Sequence, residues 1–242
     1  MNRYKASAIH FFLSACIGLA LFGLLWFVWY PDPMLIAIGG HELFLLIVGI
    51  DVILGPLLTL VVFNTNKRSL KCDLMVIALM QIGALIYGVS VILEARPAYV
   101  AANGDYFQVV QATEVTDANL EKAKTSIPWF GPALVGTKAP VGRYDTDAVR
   151  DVEEIGGGRG HFPQLHIPYE SMASEVIEKS KPISALIASK PDKAGEITAW
   201  LRKHNLDANT AKFLPIRIRA SEFAVVIDAK TAAVAGIAPF KP

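Results

Sequence analysis

The sequence predicts an integral membrane protein: three N-terminal transmembrane α-helices followed by an α+β soluble domain with an antiparallel sheet. Three observations carry that prediction. Phe11 to Tyr30, Leu43 to Phe63 and Leu74 to Leu93 are apolar stretches, and about 20 helical residues span the hydrocarbon core of a bilayer. Charge is segregated: residues 1–94 hold five of the 23 Lys and Arg and five of the 22 Asp and Glu, and Asp51 is the one formal charge within the three stretches. The chain beyond them shows turn-punctuated β patterns at both ends and helical patterns between. The organisation read from this is 1–94 as the transmembrane region and 95–242 as a periplasmic α+β domain.

Composition sets further bounds. A hydrophobic content of 53% and a mean hydropathy of +0.40 are high for a soluble chain. Residues 95–242 mix both signs of charge and lack the basic stripe that neutralises phosphates, so nucleic acid is not expected as a partner. They are long enough to bury a core of their own. The two cysteines, Cys16 and Cys72, both precede that segment, and no Cys/His grouping has zinc spacing. Cys16 is read as a small apolar residue of the first helix.

The first apolar stretch follows Arg3 and Lys5, as in a signal peptide, but it exceeds the usual length and ends in Trp26, Trp29, Tyr30 and Pro31 without a small-x-small cleavage site. It reads as a retained transmembrane helix closed by an aromatic belt. Arg3 and Lys5 precede helix 1, and Lys67, Arg68 and Lys71 lie between helices 2 and 3. The loop between helices 1 and 2 has Asp32, His41 and Glu42 and no Lys or Arg. The positive-inside rule then puts the N-terminus and the second loop in the cytoplasm and, for a bacterial inner membrane, residues 95–242 in the periplasm, with Arg96 outweighed.

Within the membrane, an ionisable group at a helix centre costs about 2.5–3.5 kcal/mol on insertion scales, so Asp51 is expected to face a partner or a cavity. Pro56 deprives the Val52 carbonyl of its helical donor and is expected to kink helix 2. Asp51, Gly55 and Thr59 share one face at i, i+4, i+8, a small polar seam suited to close helix packing. Ser14 and Gly18 on helix 1 and Ala84 and Gly88 on helix 3 form matching seams. Counting rise per residue brings Asp51 level with residues 85–87, which favours Tyr87 as its partner over Gln81. No Lys or Arg is near that depth, so Asp51 reads as protonated or hydrogen-bonded, in a polar clamp between helices 2 and 3 rather than a proton pathway. Asp51, Gly55, Pro56, Thr59, Gln81, Ala84, Tyr87 and Gly88 are the helix-packing or partner-contact candidates.

In the soluble segment, Asn103-Gly104-Asp105 joins strands Ala98 to Ala102 and Tyr106 to Gln111. Asp117 caps a short helix at Leu120 to Thr125. Ala133 to Thr137 is a strand, Glu170 to Lys181 a helix stopped by Pro182, and Pro191-Asp192 opens a helix over Lys193 to His204. Phe213 to Arg219, Phe223 to Asp228 and Ala233 to Ile237 are strands, the last two joined by an Asp228–Thr231 turn. The glycine run at 156–160 has no preceding strand and no Gly-Lys-Ser/Thr, so it reads as a flexible loop rather than a phosphate cradle. His161, His166 and Glu170 are interrupted by Pro163 and Pro168 and read as surface residues. Asp145, Asp147 and Asp151 decorate a solvated helix near Ala148. Ser171 and Ser174 have no nucleophile-elbow context. No catalytic, cofactor or metal residues are assigned, and an enzyme is not expected.

Several of these stretches together resemble one family, the TfpX/TfpZ-type type IV pilin accessory proteins. The residues are Trp29-Tyr30-Pro31, Asp51-Val52-Ile53-Leu54-Gly55-Pro56-Leu57-Leu58-Thr59-Leu60, Ser69-Leu70-Lys71-Cys72-Asp73-Leu74, Ala95-Arg96-Pro97-Ala98-Tyr99 and Val225 to Thr231. The helix 2 motif is the most specific. Cys72 replaces an aromatic residue and Ala232-Ala233 a Gly-acidic pair, and residues 139–190 match no motif. The resemblance implies an inner-membrane accessory protein that binds a type IV major pilin and assists or modulates its assembly or the dynamics of the pilus. The inner-membrane machinery of the pilus would be a further partner. It implies no cofactor. The competing readings are a membrane-anchored periplasmic ligand-sensing domain, disfavoured by the absence of a cytoplasmic output domain, and a subunit of a membrane enzyme or transporter, disfavoured by the absence of a catalytic cluster.

Overall fold

The computed structural model describes residues 2–219 and 221–242. They form two compact units, residues 2–31 with 39–96 and residues 32–38 with 97–242.

The first unit holds three helices long and apolar enough to cross a membrane: α1 (Arg3–Trp29), α2 (Gly40–Val62) and α3 (Leu70–Glu94). Helix α1 starts well before the apolar stretch because the Asn2 side chain caps it, accepting from the Lys5 N–H at 2.9 Å. Cys72 lies in the first turn of α3, not in the loop before it. Helices α1 and α3 each pack mainly against α2. The kink expected at Pro56 takes the form of a π-helical turn at Ile50–Leu54, directly before the proline. A widened turn accommodates a residue that has no N–H and whose ring crowds the preceding carbonyl. A second π turn, Leu25–Trp29, ends α1. There the expected aromatic belt is partly an internal clamp: Tyr30 is buried, and its hydroxyl donates to the Ile92 carbonyl at 2.9 Å.

The second unit is built on one sheet of β1 (Pro97–Ala102), β2 (Phe107–Gln111), β3 (Ala133–Thr137), β4 (His166–Pro168), β5 (Lys181–Pro182), β6 (Ala211–Ile218), β7 (Ser221–Asp228) and β8 (Val234–Ala238). The strand order is β4-β3-β1-β2-β6-β7-β8, with β5 added to β6. The sheet is mixed, which corrects the antiparallel expectation: β1 pairs β3 and β2 pairs β6 in parallel. The tight turns encode the antiparallel β1–β2 hairpin and the β6–β7–β8 meander. The two parallel joins link segments distant in sequence, and a period of two residues carries no direction. Strand β1 is buried along its whole length, as a central strand covered on both faces should be.

Helices α4 (Asp117–Ala123), α5 (Arg143–Glu154), α6 (Ala173–Lys179), α7 (Ile183–Ser189) and α8 (Ala194–Lys203) surround the sheet. Thr116, not Asp117, caps α4, through a bond from the Asn119 N–H. Ile183 and Leu186 of α7 and Ile197 and Leu201 of α8 bury against Phe213, Ala224 and Val226. Tyr169 donates to the Ala232 carbonyl at 2.7 Å, and burial together with the Glu170 charge pushes its hydroxyl up to about 12.

Candidate partner-contact site in the membrane helices

The polar residues of the three long helices converge. On α1, Ser7 Oγ donates to the Pro56 carbonyl at 2.9 Å, and His10 Nδ1 lies 2.7 Å from Thr59 Oγ1. On α3, the Gln81 amide donates to the Asp51 carbonyl at 3.2 Å and reaches Asp51 Oδ1 at 3.5 Å. The Asp51 carbonyl needs this donor because the π turn and Pro56 disrupt the regular backbone ladder beside it. Gln81 Oε1 is buried without a partner among the described residues. A surface groove of about 260 Å³ opens here, with Asp51 and Gln81 in its wall beside His10 and Ser14. The surface of the groove is mostly apolar, and the polar residues at its floor bond chiefly to one another, so it suits close packing of a further helix.

The structure places the sequence-read candidates unequally. Asp51, Gly55, Pro56, Thr59 and Gly88 are buried. At Gly55 the helices approach closely, since a Cβ there would collide with the end of the Gln81 side chain. Ile47 of α2 fills the space that a Cβ on Gly88 would need, and Val48 does the same at Gly18 of α1. Ala84 is exposed and lines a second, apolar groove with Ile47 and Tyr87. The partner of Asp51 is Gln81, not Tyr87, which is 72% exposed. Depth matched Tyr87, but it lies six residues from Gln81, roughly 240° further round the helix and on another face. His10 and Ser7 were missed. The signal was present: Ser7, His10, Ser14 and Gly18 repeat at helical spacing along one stripe of α1.

The stretches that invite a catalytic reading in the second unit have structural roles. Gly156 ends α5 with φ of +87°, and Gly157 N donates back to the Val152 carbonyl at 2.9 Å, a Schellman-type helix stop. The run is not a loose loop: a Cβ on Gly160 would lie 2.6 Å from Ala101 Cβ, so the chain is laid directly on the sheet. His161 and His166 are partly buried rather than on the surface. His161 Nδ1 lies 2.9 Å from the Gly158 carbonyl, and His166 Nε2 lies 2.9 Å from the Gly160 carbonyl. His166 also packs edge-on against Tyr99, and burial lowers its pKa despite the Gly160 bond. Asp145 pairs with Lys122, and Asp147 with Arg143 and Arg150.

Comparison with known proteins places this arrangement in a family. The model of the fimbrial assembly protein FimB matches residues 1–39. A fimbrial assembly protein of Dichelobacter nodosus serogroup E1 is 32% identical over 231 residues, 93% of this chain and 90% of that protein. The serogroup I protein is 31% identical over the same shares, and the protein of serogroups C1 and C2 is 40% identical over 49% of this chain and 92% of its own. No solved structure matches the chain. With alignment over almost the full length of both chains, the protein belongs to the fimbrial assembly protein family, a type IV pilus-associated family.

Proposed function

We propose that this protein is a non-catalytic accessory factor of the bacterial inner membrane that binds a type IV major pilin and assists or modulates its assembly into the pilus or the dynamics of the pilus. The observation that carries the reading is the near full-length similarity to fimbrial assembly proteins. Three features support it. Arg3, Lys5, Lys67, Arg68 and Lys71 favour a cytoplasmic N-terminus and second loop, which leaves the C-terminal unit in the periplasm after three crossings. The 32–38 segment belongs to the same compact unit as residues 97–242, an arrangement that agrees with both lying on one side of the membrane. The mostly apolar groove beside Asp51 suits the packing of another chain's transmembrane helix. The test is photo-crosslinking from exposed positions of α2 and α3 in cells making the native major pilin, with piliation and twitching measured in a deletion strain. Capture of pilin and loss of piliation are expected. Absence of pilin from every adduct, with piliation and twitching unchanged on deletion, would refute the proposal.

A further inference from the structure

Strands β2 and β6 run in parallel but stay together for only two pairs, Phe107–Ile216 and Gln108–Arg217. Beyond them β6 ends at Ile218 while β2 continues to Gln111, and α5 with the glycine run that follows borders the opening. The result is a cavity of about 600 Å³, within the range of binding pockets. It lies beside the carboxyl ends of two adjacent parallel strands, the place where open sheets commonly receive ligands.

The walls have a definite chemistry. Gln108 is 5% exposed and lines the cavity, yet its Oε1 is buried with no partner among the described residues. That carbonyl lies against the glycine run at Gly158, near the Asn103 amide, and not open to the cleft. Arg217 and Arg219 lie on the β6 side. The Arg217 guanidinium is stacked 4.2 Å from the Tyr106 ring centre, and its Nε is 4.0 Å from Glu222, too far for a strong bond. Arg219 Nη1 donates to the Ile38 carbonyl. A guanidinium has five N–H donors, so both retain capacity for a carboxylate. Val109, Val152 and Ile155 give an apolar wall, and Ile155 is 85% exposed at the rim. Glu114 and Asp151 on the opposite side disfavour a polyanion.

An apolar side chain beside a carboxylate on an extended chain is a combination that a polypeptide presents. We propose that this cleft binds an extended peptide segment carrying an apolar and an acidic residue, entering where β2 and β6 part. Resting on the reading under Proposed function, the segment is supplied by the pilin subunit being assembled. Strand addition contributes backbone bonds, and the side-chain pockets select the partner.

The experiment uses the full-length protein in native membranes with the major pilin co-expressed. A photo-crosslinking amino acid replaces Ile155, Asp151 or, as a control on α8, Lys203, and one set of positions on α2 and α3 is run in parallel. Ile155 and Asp151 are expected to capture pilin, Lys203 is not, and overlapping synthetic peptides spanning the pilin's soluble part should compete through one window. Arg217→Glu should lower capture at Asp151 about tenfold, the effect of one lost charge-assisted bond. Ile155→Glu, on an exposed side chain that folding does not need, should do the same. Capture from α2 and α3 with none from the cleft would overturn this inference and leave the pilin-binding reading standing. Cleft adducts that no pilin peptide reduces would also overturn it. Absence of pilin from every position would overturn both.

Discussion

Replacing Gly55 with alanine puts a methyl group 2.1 Å from Gln81 Nε2, 2.7 Å from its Cδ and 2.8 Å from its Oε1. All three are closer than real contacts permit, and the obstacle is the end of a flexible side chain. Gln81 therefore swings away and gives up its bonds to the Asp51 carbonyl and Oδ1. Interhelical hydrogen bonds in membranes average about 0.6 kcal/mol and reach about 1.7. Gly55→Ala should thus cost about 1 kcal/mol, and Gln81→Ala, which removes the same bonds, a similar amount. In the double variant the methyl group meets no side chain, so adding Gly55→Ala to Gln81→Ala should cost nothing. The expected coupling is about 1 kcal/mol of non-additivity, above the roughly 0.3–0.5 kcal/mol seen for independent sites. Reversible unfolding in mixed micelles, followed by tryptophan fluorescence, measures all four corners of the cycle. If the two costs add within 0.5 kcal/mol, the Gln81–Asp51 contact is not the reason for glycine at 55.

Asp51→Asn keeps the side-chain acceptor for the Gln81 amide and should retain normal abundance and piliation, whereas Asp51→Leu leaves only the main-chain carbonyl and should lower one or both; an Asp51→Asn protein at normal level without function would contradict a packing or partner-contact role. In a Cys16→Ala background, Cys72 should resist an impermeant thiol reagent in intact spheroplasts, and a cysteine at exposed Asp105 should react; the reverse order would overturn the proposed topology. Burial lowers the His166 pKa, so between that value and about 6.5 the unfolded chain binds the extra proton. This contribution to stability is complete above pH 6.5 and is lost as pH falls through that window, so thermal unfolding should show a pH dependence below 6.5 that His166→Gln reduces; an unchanged slope would exclude His166 as its source.

The membrane helices were legible because lipid forces a simple code, about 20 apolar residues per crossing with charge left at the ends. The β1–β2 hairpin and the β7–β8 turn were legible because their turn residues act locally: Asp228 Oδ1 accepts from the N–H groups of Lys230 and Thr231. What failed depends on which face or direction an element takes. Tyr87 and Gln81 are both within reach of Asp51 by depth, and only rotation about α3 separates them. The parallel joins of β1 with β3 and of β2 with β6 leave no mark on alternation. The glycine run read as loose because its purpose, close approach to Ala101 on a strand far away in sequence, is invisible locally.

The sequence-distant composition of the second unit has a consequence for how the chain is made. Met34, Leu35 and Ile38 are buried, and Ile38 receives its hydrogen bond from Arg219, 181 residues later. At about 5–20 residues per second, translation separates the two residues by roughly 10–40 s. Through that interval the 32–38 segment is already synthesised but lacks the arginine that will bond it. Its apolar side chains are then surface, open to proteases and chaperones, so the rate of synthesis and the supply of such helpers become determinants of yield.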